Sequence, residues 1–287
     1  SYMYLKERVD NGIGIFNLND EYIYRINQNN DYEYYRYRQR QTGLYLMARY
    51  PFSRFLRLEF ESMFYQRGRY FSYWDWTNED WVEFYDEQAN VVTPGLKLVH
   101  DNALYGSTGP LVGWRAMYNL STTLADGKLE YLTNYLDWRS YTLFSKRYAI
   151  ALRGIAGISV GDNPQRFNLY GYYGVRGYEE DLSGEKKAVA SAELRFPFFE
   201  YIQMAFPVPI TIPNIRGSIF ADLGTVFDDF EDFRGVNNGQ LEDLRLGYGF
   251  GPRLDLGYVI LRLDIAWLTD LTKSSKPTYF LSLSEDF

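Results

Sequence analysis

Few residues of this chain are equipped for acid–base or nucleophilic chemistry. There is one His, His100, and no Cys. Disulfides, thiolate metal sites and Cys nucleophiles are therefore excluded, as is any site needing two His. His100 stands beside Asp101, as in a general-base dyad, but no fitting Ser context accompanies it. It reads as structural. The densest carboxylate set is Asp75, Glu79, Asp80, Glu83 and Asp86, interleaved with Trp74, Trp76 and Trp81. Its spacing is not that of an EF-hand loop. Rings and acids in such a mixture suit a sugar- or partner-binding surface, or an outer loop packed on itself. No metal, no cofactor and no enzymatic activity is expected. The formal net charge of -7 argues against a nucleic-acid partner, which calls for a basic excess.

The elements that carry these residues are suggested first by the rings. Aromatics make up 19% of the 287 residues, with 28 Tyr. Such amphipathic rings suit the two water–lipid boundaries of a membrane β-barrel, or a Tyr-rich soluble β-sandwich. Ser1 is not an initiator, and residues 1–20 lack the phases of a signal peptide. Either a signal was removed or the chain is a piece of a longer one. The longest uncharged stretch, Tyr201–Ile215, contains Pro207, Pro209 and Pro213. It is too short and too proline-rich for a spanning helix, which takes about 20 residues. A helical membrane protein is excluded, while a barrel strand needs only about 9–11 residues.

Period-two patterning then organises the chain. In Tyr258–Leu268, the residues Val259, Leu261, Leu263, Ile265 and Trp267 share one face, and Arg262 and Asp264 lie on the other. In Leu244–Leu254, an apolar face opposes Arg245, Gly247, Gly249, Gly251 and Arg253. Three glycines on one face leave room for something else in a lumen. In Arg54–Arg67, Leu56, Leu58, Phe60 and Phe64 oppose Arg57, Glu59, Glu61 and Arg67. In Lys186–Phe196, Ala190, Ala192, Leu194 and Phe196 oppose Ser191, Glu193 and Arg195.

Twelve such segments lie near 2–16, 32–49, 54–68, 90–102, 108–123, 128–139, 146–160, 185–197, 214–226, 243–254, 257–268 and 277–287. Short connections (Pro51–Ser53, Ala103–Ser107, Ser140–Ser145, Asp255–Leu256) alternate with long ones (17–31, 69–89, 161–184, 227–242). Two connections depart from this: 198–213 is long on the short side, and Ala125–Gly127 is short on the long side. Short turns on one side and long loops on the other are the outer-membrane pattern. The expected fold is all-β: an antiparallel transmembrane β-barrel of about twelve strands, forming one domain over 1–287. A soluble sandwich, with one buried face per strand, accounts less well for the alternating connections.

Gly174-Val175-Arg176-Gly177-Tyr178 falls in the long connection between the seventh and eighth segments. It resembles the VRGF/VRGY signature of the BamA/TamA surface-antigen superfamily of bacterial outer-membrane barrels. Ala192-Glu193-Leu194-Arg195-Phe196-Pro197 is similar to that family's E-L-R-x-P strand. Ile219–Phe227 resembles its F-x-D-x-G-x-V strand. Gly247–Gly251 and the terminal Phe287 complete the order, and Asp101, Asn102, Pro110 and Gly113 resemble its D-x-R … P-x-G hairpin in degraded form. The resemblance covers about residues 90–287.

In that family the barrel has sixteen strands and the signature loop joins strands eleven and twelve. The resemblance thus implies that this chain is the C-terminal part of a sixteen-stranded barrel, without the first four strands and the preceding periplasmic domains. A true twelve-stranded relative is the alternative. The resemblance also implies that the signature loop folds into the lumen, where Arg176 meets Glu193 and Asp222. Strand parity independently points Glu193 inward with Ser191 and Arg195, and puts Asp222 on a face with Ser218 and Gly224. Phe287 would be the signal read by the assembly machinery. The implied function is insertion or translocation of proteins at the bacterial outer membrane through a lateral seam, which requires no catalytic residues. The implied partners are outer-membrane lipids and lipopolysaccharide, unfolded outer-membrane or secreted client proteins, and subunits of an envelope complex. The alternative is a membrane anchor, or a structural or binding subunit without insertase activity.

Overall fold

The computed structural model describes residues 2–4, 9–28, 31–106, 109–145, 147–171, 174–180, 182–207, 209–255 and 260–284. Among these, all regular structure is β, and no helix is long and apolar enough to cross a membrane. Twelve strands have seven residues or more. They are β1 (Asp10–Gln28), β2 (Asp31–Pro51), β3 (Leu56–Asp75), β4 (Asp80–Asp101), β5 (Gly109–Ala125) and β6 (Lys128–Ser145). The series continues with β7 (Tyr148–Gly161), β8 (Lys186–Met204), β9 (Ile210–Phe227), β10 (Arg245–Asp255), β11 (Ile260–Thr269) and β12 (Thr278–Ser284). Hydrogen-bonded neighbours follow chain order through one large sheet.

Number and order agree with the periodicity, and three expectations change. The segment expected over 2–16 is two pieces: Tyr2–Tyr4 folds back antiparallel on Asn11–Ile13 of β1. The connections expected at 17–31 and 69–89 are mostly strand. β1 and β2 pair up to Gln28↔Asp31, and only residues 76–79 separate β3 from β4. The connection expected at 198–213 shrinks to 205–209, because β8 and β9 stay paired to Met204↔Ile210 past a bulge between Pro197 and Phe199. The short connection at Ala125–Gly127 is a tight turn with Asp126 and Gly127 both at positive φ, the geometry of a two-residue hairpin. Of the expected Asp255–Leu256 turn, Leu256 lies outside the described residues, as does Phe287.

The chain divides into two compact units. The first comprises Ser1–Lys97, Leu120–Leu132 and Gly161–Asn163. All nineteen residues of β1 have partners on β2. On one face of this unit Ile13, Ile15, Leu44, Phe60 and Phe64 are exposed. On the other, Arg67 is buried and donates to Glu130 (Nη1 3.0 Å, Nη2 2.6 Å) and to Glu87 (3.3 Å). Lys97 reaches Glu61 at 2.5 Å.

The second unit comprises Leu98–Asn119, Thr133–Val160 and Pro164–Phe287. Its strands alternate in the reverse sense to a soluble protein. On β7, Ile150, Leu152, Ile158 and Val160 are exposed, while Arg153 and Ser159 are buried. On β8 and β9, Leu194, Ile219 and Leu223 are exposed, while Ser191, Glu193, Arg195, Ser218 and Asp222 are buried. Ions inside and aliphatics outside is stable only where the outer solvent is apolar. Strand propensity adds little here; the sorting of side chains between two solvents decides the faces.

Candidate functional site: a loop arginine in a buried carboxylate cluster

The connection between β7 and β8 folds on itself before it meets the sheet. Phe167–Asn168 pairs with Ser183–Gly184. Leu169 donates to the Leu182 carbonyl and accepts from Val175 N–H, each at 3.1 Å. Tyr178 N–H closes onto the Val175 carbonyl at 3.1 Å. These bonds satisfy the backbone of a segment taken out of water. Gly174 is required at its position, since a Cβ there would sit 1.8 Å from the Leu169 oxygen. Gly177 has φ +96, in the left-handed region that favours glycine. Val175 and Tyr178 are buried with Ile155, Phe167, Leu169, Val189 and Val226, which seats the loop by apolar contact.

The glycine face of β10 receives this loop. A Cβ on Gly247 would meet the Arg176 carbonyl oxygen at 2.2 Å, and one on Gly224 of β9 would meet Val175 at 2.7 Å. The room that three glycines implied is occupied at Gly247 by the loop's own backbone.

Arg176 is thereby delivered, 2% exposed, to β8, β9 and β11. Its Nε and Nη2 donate to both oxygens of Asp222, at 2.7 and 2.8 Å, a bidentate pair. Its backbone N–H adds a third bond to Asp222 at 3.2 Å. Nη1 donates to Glu193 at 2.9 Å and lies 3.9 Å from Asp264. The guanidinium carbon sits 3.5 Å from the centre of the Phe220 ring, a cation–π contact in a dry setting.

Three more arginines share these acids. Arg195 Nε reaches Glu193 at 3.1 Å, and its Nη1 donates to the Pro110 carbonyl at 2.9 Å. Arg253 Nη1 donates to Asp264 at 2.6 Å, and Nη2 lies 3.5 Å from Glu193. Arg262 is fully buried and stands opposite Arg253 across the β10–β11 pair. Every one of these groups is within 4% of full side-chain burial where paired. Such ions are tolerated only because each finds opposite charge and donors. The arrangement can clamp a loop.

The sequence-expected residues Gly174, Val175, Arg176, Gly177, Tyr178, Glu193 and Asp222 are therefore brought together, and Phe287 lies outside the described residues. Arg253, Asp264 and Phe220 belong to the cluster without having been assigned to it. Parity had put Arg253 and Asp264 on wet faces, but only the register places them beside Arg176: Asp222↔Gly247 and Arg253↔Arg262. His100 stacks on Trp114 at 3.8 Å and 13°, in keeping with a structural role. Asp101 instead holds Arg115 at 2.9 Å and Ala103 N–H at 3.1 Å. Asn102 of the degraded hairpin pairs with Trp114, whose N–H donates to Asn102 Oδ1 at 2.7 Å and whose carbonyl accepts from Asn102 N–H at 3.1 Å. The stretch expected to be a Trp-rich loop is a hairpin, because Asp75 caps its turn through Thr77 N–H (2.8 Å) and Asn78 (2.7 Å), and Trp74 packs on Trp81 at 5.4 Å. Among the described residues no acidic or His group is arranged to hold a metal.

A family model described as the Omp85 superfamily domain matches residues 3–280. The fold is similar to that of BamA from Haemophilus ducreyi lacking POTRA domains 1-3, at TM-score 0.59 and 14% identity, covering 96% of this chain and 61% of that one. It is similar to CdiB from Acinetobacter baumannii at 0.59 and 15%, covering 95% and 46%. It is also similar to CdiB from Escherichia coli at 0.57 and 13%, covering 97% and 48%. The chain thus spans less than two thirds of each of these proteins. No curated protein matches the sequence.

Proposed function

This chain belongs to the Omp85 superfamily, and on that premise we propose that it is one outer-membrane β-barrel domain acting in insertion or translocation of proteins at the bacterial outer membrane. The observation that carries the reading is the family match over nearly the whole length, 3–280. The inside-out faces of β7–β11 support it, since exposed Ile150, Leu152, Ile219 and Leu223 need an apolar solvent. In this reading Arg176 locks the signature loop to the inner wall through Glu193 and Asp222. Clients pass by exchange of strand hydrogen bonds at a seam involving the last strand, and Phe287 serves as the assembly signal. Backbone groups in lipid have no water to fall back on, so exchange between strands is the permitted route. Partners are outer-membrane lipids and lipopolysaccharide, unfolded clients and envelope subunits. No cofactor takes part.

Depletion in the native cell is the test. Steady-state levels of other outer-membrane proteins should fall within a few generations. Unchanged levels would sink the insertion reading and leave a membrane anchor or structural subunit.

A further inference from the structure

The first unit carries its own mark of where an apolar solvent ends. On its exposed face the row Ile15↔Leu44↔Phe64 is followed one step along by Asn17↔Thr42↔Gln66. Ile15 is 81% exposed, and Thr42 donates to Asn17 at 2.9 Å. The change from aliphatic to amide and hydroxyl is complete within one side-chain step, about 7 Å. The next rows on that face are Asn19↔Arg40↔Gly68, Glu21↔Arg38↔Tyr70 and Ile23↔Arg36↔Ser72, so an arginine stands at every second residue of β2, with one acid and one aliphatic across from the row.

Arg36 and Arg38 are half-buried. Arg36 lies over the Trp81 ring at 4.6 Å, and Arg38 over Tyr70 at 5.0 Å. Arg38 faces Glu21 across the β1–β2 pair and lies 3.9 Å from Glu83, with the Arg38 and Glu83 side chains more than a third exposed. Arg40 is exposed. Beside it opens a cavity of about 240 Å³ lined by Arg40, Thr42, Gln66, Gly68, Tyr70 and Gln88. A cationic row with amide and hydroxyl groups is an unusual surface for a chain of net charge -7. It suits phosphate and sugar hydroxyls together, because guanidinium takes phosphate oxygens bidentately. Its place just past an apolar belt is the depth of a lipid headgroup.

The geometry points to a headgroup site: the Arg36–Arg38–Arg40 row and the adjoining cavity bind the phosphorylated sugar headgroup of an outer-leaflet glycolipid. The site rests on the membrane reading above, since the Ile15–Leu44–Phe64 row must face acyl chains for a headgroup to reach it. It also fixes that end of the strands as the outer surface.

The test is native mass spectrometry of the purified chain in detergent, titrated with bisphosphorylated lipid A, dephosphorylated lipid A and phosphatidylglycerol. Wild type should retain bisphosphorylated lipid A at least tenfold better than either other lipid. The triple variant R36Q/R38Q/R40Q should lose that tenfold preference, and R54Q, at the opposite strand ends, should keep it. Should the triple variant not fold, as judged by heat-modifiable migration, Arg40→Gln alone should lower retention about threefold. Equal retention of the three lipids by wild type, or full retention by the variants, overturns the site. Insertion into phosphatidylcholine vesicles is scored separately. A chain that inserts without the lipid preference overturns the site alone; one that fails to insert overturns the membrane reading and the site with it.

Discussion

β4 has 22 residues and β12 has seven. At about 3.3 Å per residue the first reaches roughly 70 Å and the second about 23 Å, while a tilted spanning strand uses about 9–11 residues. β1–β4 therefore have length to spare, and β10–β12 have little. The surplus is visible in exposure: from Asn17 to Ile26 both faces of β1 are open to solvent. The buried faces differ in the same sense. In the long-stranded unit Arg67 is answered by side chains of neighbouring strands, and Glu87 stays 32% exposed. In the second unit a loop brings Arg176 to carboxylates no more than 1% exposed. One region extends outward and solvates its charges; the other turns a loop inward and pairs its charges in the dry.

The sharpest challenge to that contrast is a pair of truncations. Arg176→Ala should cost about 3–5 kcal/mol by leaving Asp222 and Glu193 unpaired, and folded, heat-modifiable protein should largely disappear. Arg67→Ala should cost about 1–3 kcal/mol, because water reaches Glu87. Equal losses in denaturant titrations of the two variants would erase the distinction.

Glycine variants come next. Gly247→Ala drives a Cβ against the Arg176 carbonyl at 2.2 Å, and overpacking of that kind costs about 1–3 kcal/mol. Limited proteolysis should then cut within 162–185. Gly68→Ala in the long-stranded unit meets first the Tyr70 hydroxyl, at 2.7 Å. That ring can swing away, and the proteolytic pattern should not change.

Shortening the β1–β2 hairpin beyond the Asn19↔Arg40 pair should change the unfolding free energy by less than about 1 kcal/mol, since the lost rows bury little apolar area. A collapse of the folded band would mean that the surplus length is structural.

The smallest effect is at the loop base. Asp228 accepts from Glu185 N–H at 3.1 Å and pairs with Arg166 at 3.1 Å. Partial burial pushes its carboxyl up, but these donors outweigh that and hold it below the usual aspartate range. Its contribution is therefore present above the unfolded value of about 3.9 and fades as pH falls through the lower folded one. Protection of the Glu185 amide, taken against its intrinsic exchange rate at each pH, should fall over that acid range and nowhere above it; a fall in protection near neutral pH would contradict the assignment.

β7–β11 were legible in the sequence because charge and aliphatic alternate wherever a strand separates lipid from a packed interior. Arg262 and Asp264 between Leu261, Leu263 and Ile265 are the plainest case. The extensions of β1, β3 and β4 were not, whereas β2 (Asp31–Pro51) was read nearly whole over 32–49. Past Asn17 on β1 and Gln66 on β3 charge and aliphatic no longer sort by face: Arg67 and Arg69 stand on one, Glu21 and Ile23 on the other. The site was half legible. Arg176 and its two carboxylates followed from a resemblance and from parity, whereas Arg253, Asp264 and Phe220 depended on cross-strand register, which a single chain does not display.

The glycine seat on β10 also sets an order of events. Arg176 precedes its acid Asp264 by 88 residues (264 minus 176), and Gly247, against which the loop backbone rests, also comes later in the chain. Until β9–β11 have paired, its guanidinium lacks two of its three carboxylates, and β10 carries glycines whose backbone freedom resists ordering. Docking of the loop is then a late step of maturation, and slowing the last three strands prolongs the interval in which the cradle stands open.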